Sequence, residues 1–71
     1  MPKMTLKALR INAGLTQKEV ADRLGKSNKT ISNWENGISF PEPKDIDALC
    51  ELYNVSYDHI NFLHADSLKA D

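Results

Sequence analysis

The stretch from Thr16 to Asn36 constrains this chain most, because it holds two short amphipathic segments with only Gly25 and Lys26 between one stop and the next start. Thr16-Gln17-Lys18-Glu19 has the capping-box pattern, in which Thr and Glu each satisfy a backbone N–H that a helix start leaves free. Val20, Ala21 and Leu24 then make one apolar face, and Gly25 predicts a stop after about two turns. Ser27 is the next plausible N-cap. It predicts a helix from about Asn28 to Asn36, with Ile31 and Trp34 inward and Asn36-Gly37 as its end. Two short helices joined by a tight glycine turn are the sequence form of a helix-turn-helix. Ala21 is small where the pair must approach closely, and Gly25 takes a positive φ without a Cβ penalty.

The remaining segments read as helices too. Leu6, Leu9 and Ala13 recur at helical spacing between a Thr5 N-cap and Gly14. Ile38 to Pro43 carries two prolines and reads as a loop. Pro43 suits the first position of a fourth helix whose apolar stripe is Ile46, Leu49, Cys50 and Tyr53. Ser56 is placed to cap a fifth, with Ile60 and Leu63 inward. No segment alternates as a half-buried strand does, so the expected class is all-α, a compact five-helix bundle over residues 1–64 with a polar tail over 65–71.

Seventy-one residues are room for one domain. A domain of this size buries about 60% of the surface its unfolded chain exposes, so a deep catalytic pocket is not expected. A single cysteine, Cys50, allows no intrachain disulfide and suits a reducing cytosol. The first residues carry no long apolar run, so neither a signal peptide nor a membrane span is expected there.

The net charge of −1 looks like a poor match to nucleic acid, but it is unevenly spread. Residues 1–41 carry a net +4 and residues 42–71 a net −5. A duplex would meet the basic side first, although such asymmetry also serves plain solubility.

The outward face of the third helix carries Asn28, Lys29, Ser32 and Asn33. A face kept merely soluble is normally built from Glu and Lys, which form helices better than Asn and Ser. Base reading is a use that offsets this cost. Asn pairs with adenine N6 and N7, Lys donates to guanine, and Ser is permissive. The bland alternative is an ordinary polar face. For phosphates, the helix starts at Thr16-Gln17 and at Ser27 offer backbone N–H groups and a partial positive charge. Lys18 and Lys26 add charge, and Thr30 and Asn36 complete the candidate phosphate set.

Other chemistry finds little support. His59 and His64 are five apart, which does not place two metal ligands on one helix face, and no metal or cofactor is expected. Cys50 falls on an apolar stripe and reads as a small hydrophobe. Asp45, Asp47 and Glu51 read as a solvated face rather than as catalytic acids, and Trp34 as core rather than as a stacking platform. No nucleophile arrangement is present, so the chain is not read as an enzyme.

Gly14-Leu15-Thr16-Gln17-Lys18-Glu19-Val20-Ala21, Leu24-Gly25 and Ile31-Ser32-Asn33-Trp34-Glu35-Asn36-Gly37, continuing to Asn54-Val55-Ser56-Tyr57-Asp58, resemble the Xre/Cro-type helix-turn-helix family of bacterial and bacteriophage repressors. The resemblance covers roughly residues 5–63. It implies a lambda-repressor-like fold that binds double-stranded operator DNA, usually as a homodimer. It puts Gln17 and Asn36 on phosphates and Asn28, Lys29, Ser32 and Asn33 on bases, and it pairs Arg10 with Glu35 as a structural ion pair. The loop after Gly37 departs from members that carry arginines there, so no minor-groove contact is expected from it.

The expectation is a cytoplasmic, sequence-specific regulator, a repressor by family resemblance. Its dimer face would hold Tyr57 and Phe62, and control would come from concentration, operator competition or a protein antagonist. Two alternatives stand beside it. The same scaffold could serve protein–protein contact, without needing hydrogen-bonding residues at 28, 29, 32 and 33, or the chain could be the DNA-binding half of a longer regulator.

Overall fold

The computed structural model describes residues 3–62. In chain order it has a short strand β1 (Met4–Thr5), helices α1 (Leu6–Asn12), α2 (Gln17–Leu24), α3 (Asn28–Glu35) and α4 (Pro43–Tyr53), a 3₁₀ turn (Tyr57–His59) and a second short strand β2 (Ile60–Asn61).

The helix boundaries follow from local chemistry. Thr5 Oγ1 accepts from the N–H of Ala8 at 3.1 Å and starts α1. Thr16 Oγ1 accepts from Glu19 N–H at 3.1 Å, while Glu19 Oε1 takes the N–H of Thr16 at 2.8 Å, which closes the capping box of α2. Gly25 turns the chain at φ +68, and the N–H of Lys26 reaches back to the carbonyl of Ala21 at 2.8 Å. Ser27 Oγ accepts from Thr30 N–H at 3.1 Å and starts α3. Pro43 opens α4, and Asn54 ends it in the left-handed region at φ 54.

The buried core joins the four helices and β2 through Leu6, Leu9, Val20, Ala21, Ile31, Trp34, Leu49 and Ile60. Ala21 lets α2 lie closely on α3, and Trp34 seals the core side of α3. Asp45 is buried at the start of α4, where its Oδ2 accepts from Glu42 N–H at 3.2 Å.

Three sequence expectations are corrected. There are four α-helices rather than five among the described residues. The segment after Ser56 makes one 3₁₀ turn and then extends as β2, which runs parallel to β1 with Met4 opposite Ile60 and Thr5 opposite Asn61. Ile60 is β-branched and Asn61 a weak helix former, and extension lets Ile60 reach the core while Asn61 stays exposed. A two-residue strand is too short to show alternation in a sequence, and so small a pairing leaves the all-α class in place. Ala13 is exposed beyond the last turn of α1, and Asp45 is not part of a solvated face. Leu63, His64 and the tail over 65–71 lie outside the described residues.

Gly25 has open space where a Cβ would project, so only backbone strain opposes a side chain there. Gly25→Ala is expected to lower stability by about 1–2 kcal/mol, read as a lower urea midpoint with unchanged slope. Gly25→Asn should cost less, since Asn54 already occupies a left-handed conformation in this chain.

Candidate nucleic-acid interface

Helix α3 divides sharply. Ile31, Trp34 and Glu35 are buried, and Asn28, Lys29, Ser32 and Asn33 occupy the outward arc of about 140°. Asn28 and Lys29 are exposed, and Ser32 and Asn33 are half-buried. The side chains of Asn28, Lys29 and Asn33 have no polar partner among the described residues. Asn33 is anchored through its backbone instead, its carbonyl accepting from Ile38 N–H at 2.9 Å.

What orients that face is a buried carboxylate on its opposite side. Glu35 Oε2 accepts from Arg10 Nε at 2.7 Å, and Glu35 Oε1 accepts from Arg10 Nη2 at 3.2 Å and from Gln17 Nε2 at 3.1 Å. Arg10 also donates through Nη1 to the carbonyl of Leu15 at 2.9 Å. The two side chains are 12% and 3% exposed, so this is a nearly dry, two-pronged ion pair. The hydrogen bond to Glu35 raises the pKa of Arg10 and burial opposes it. Tyr53 stands close enough to feel both charges. Burial first, then the Glu35 charge, pushes its hydroxyl from 10.0 up to about 12.

The candidate phosphate donors are in varied states. Thr16 N–H is occupied by Glu19, so α2 offers the backbone N–H groups of Gln17 and Lys18 instead. The bond from Thr16 N–H holds the Glu19 carboxyl below its ordinary value, so a negative charge sits at this helix start near neutral pH. The amide of Gln17 is already engaged by Glu35. Lys18 forms an exposed pair with Asp22 at 3.2 Å, a weak tie that leaves the ammonium accessible. Lys26 is held at 3.3 Å from the shielded Asp45, which pins the turn between α2 and α3 to the start of α4. Ser27 and Thr30 share a 2.9 Å hydroxyl contact, and Asn36 Nδ2 donates to Ser32 Oγ at 3.3 Å.

Away from α3, Tyr57 and Phe62 come together with ring centroids 5.6 Å apart, and Phe40 joins Phe62 at 5.0 Å. Tyr57 is 55% and Phe40 44% exposed. Sequence reasoning missed Phe40, because a lone aromatic just before Pro41 in a loop has no periodicity to reveal it. It also missed that Gln17 braces Glu35 and that Lys26 pairs with Asp45, both contacts between distant parts of the chain. Among the described residues no group of three or more His, Cys, Asp or Glu is gathered as a metal site would require, and no helix is long and apolar enough to cross a membrane.

Arg10→Met leaves the Glu35 carboxylate buried without its charge partner and is expected to cost about 3–5 kcal/mol in chemical denaturation. Lys18→Ala should stay within about 0.5 kcal/mol, because its pair is exposed. Tyr53 is more easily ionised unfolded than folded. Its contribution to stability is therefore complete below pH 10.0 and lost as pH rises toward about 12. A urea midpoint that falls over this alkaline range, and falls less in Tyr53→Phe, is the expected result.

Residues 6–60 match the model of the helix-turn-helix family. The chain is 42% identical over 55 residues to the HTH-type transcriptional regulator ImmR of Bacillus subtilis strain 168, which covers 78% of this chain and 43% of that protein. It is 42% identical over 52 residues to the antitoxin PezA of Streptococcus pneumoniae serotype 4, covering 73% and 33%. It is 31% identical over 55 residues to the HTH-type transcriptional activator BcrR of Enterococcus faecalis, covering 78% and 27%. The chain thus spans less than half the length of each of these relatives. With its capped α2, glycine turn and inward-locked α3, the chain belongs to the Xre-type helix-turn-helix family.

Proposed function

We propose that this chain is a non-catalytic DNA-binding module of a transcriptional regulator that lays α3 in the major groove of double-stranded operator DNA. The observation that carries this is the two-sidedness of α3. Asn28, Lys29 and Asn33 are free to make polar contacts on the outward face, while Ile31, Trp34 and Glu35 fix the inward one. In this reading Asn28, Lys29, Ser32 and Asn33 address base edges. Lys18, the backbone N–H groups at the starts of α2 and α3, and Asn36 address phosphates, with Thr16, Gln17, Ser27, Thr30 and Lys26 holding those donors in place. Occupancy of an operator by such a module excludes other proteins from the same DNA, which makes repression the simplest outcome.

The aromatic face of Phe40, Tyr57 and Phe62 is the proposed contact between two copies. A two-fold dimer would set its reading helices about 34 Å apart, one turn of B-DNA. One relative bears the name antitoxin, which favours a protein partner as a second reading for an exposed face of this chain. That reading requires no base-reading residues on α3, and the two are separated by DNA binding itself.

Selection of bound duplexes from a random pool is the test. The wild-type chain should enrich one sequence, arranged as two half-sites if it binds as a dimer. Asn33→Ala should flatten one position in each half-site, while no enrichment by the wild type would refute DNA reading. Lys18→Ala should weaken all sequences about equally and reduce the salt slope by about 1 per bound copy.

A further inference from the structure

Ser32 is the one member of the outward set whose side chain already has a polar partner within the protein. Asn36, one turn further on at the end of α3, donates through Nδ2 to Ser32 Oγ at 3.3 Å. Among the described residues the hydroxyl has no other polar contact, and it makes no back-bond to the carbonyl of Asn28. A serine hydroxyl has one hydrogen to donate and two lone pairs. With one lone pair occupied by Asn36, the O–H and the other lone pair are left for an outward contact.

We propose that Ser32 is a specificity-determining residue that acts as a hydrogen-bond donor, and that Asn36 sets this polarity. This rests on α3 reading the major groove. A base edge that faces Ser32 is then met best by an acceptor, because accepting from Asn36 polarises the O–H as a donor, and the remaining lone pair is the weaker contact for the amino group of cytosine. N7 is the acceptor common to both purines. One O–H donor cannot tell the purine N7 atoms from thymine O4 by hydrogen bonding alone, so the position disfavours cytosine rather than choosing one base. Asn36 therefore acts on the base pair through Ser32, besides any contact of its own with the backbone. Lys29 and Asn33, which have no such internal partner, keep the full range of contacts their side chains allow.

The experiment is the same duplex selection carried out with Ser32→Ala and Asn36→Asp. Ser32→Ala locates the position by flattening it, at a cost of about fivefold in affinity, the size of one neutral hydrogen bond. Asn36→Asp replaces a donor with a carboxylate that only accepts. The O–H of Ser32 turns inward to it, and only lone pairs remain for the base. The expected result is that guanine is lost at the Ser32 position and cytosine gained, whatever the general loss of affinity from the added negative charge. Both side chains lie on the solvent side of α3 and neither belongs to the core, so circular dichroism should show both variants folded.

A wild-type sequence with cytosine facing Ser32 would overturn the assignment while leaving DNA reading intact. So would a Ser32→Ala pool with no flattened position, or an Asn36→Asp pool with an unchanged base preference. A wild-type pool with no enriched sequence would overturn DNA reading and this assignment together.

Discussion

The carboxylate of Glu35 is the constraint on which the rest of the structure depends. Removing a carboxylate from water costs several kcal/mol unless charge and hydrogen bonds replace the lost solvent. Here two donors come from Arg10 on α1 and one from Gln17 at the first position of α2. One buried group thus fixes three helices to one another. Rotating α3 about its axis would pull Glu35 from its donors, so the same contact decides which side chains face outward. Ile31 and Trp34 supply the apolar burial, but apolar contacts tolerate small slides and rotations that a two-pronged ion pair does not.

Charge in this chain is not what the sequence profile first implies. The basic first half and acidic second half are partly cross-linked, since Lys26 from one pairs with Asp45 from the other. Arg10 is spent on Glu35, and Lys18 is loosely matched by Asp22. The candidate surface is therefore rich in neutral donors and modest in free cations. A module of this kind would lean on geometry more than on long-range attraction, with a shallower dependence on salt than a strongly basic domain.

The helices were legible in the sequence because their ends carry chemistry that acts within four residues. The Thr16–Glu19 box, Ser27, Gly25, Pro43 and Asn54 each place a boundary through local hydrogen bonding or backbone freedom. The outward set on α3 was legible for the same reason, since helical spacing alone places residues 28, 29, 32 and 33 on one face. Gln17 on Glu35, Lys26 on Asp45 and Phe40 on Phe62 were not, because each joins residues 18 or more apart with no local signature. The extended run at Ile60–Asn61 was missed on similar grounds. Its conformation is set by a partner at the far end of the described chain, not by its neighbours.

That pairing has a mechanical consequence. Because β1 and β2 run parallel, the chain leading into Met4 and the chain leaving Asn61 depart from opposite ends of the two-stranded ribbon. A force drawn between them loads the strands along their length, so the backbone bonds must fail together rather than peel one at a time. A short ribbon thereby acts as a shear clasp across the ends of the described domain, and tension applied there reaches the ribbon before it reaches α3.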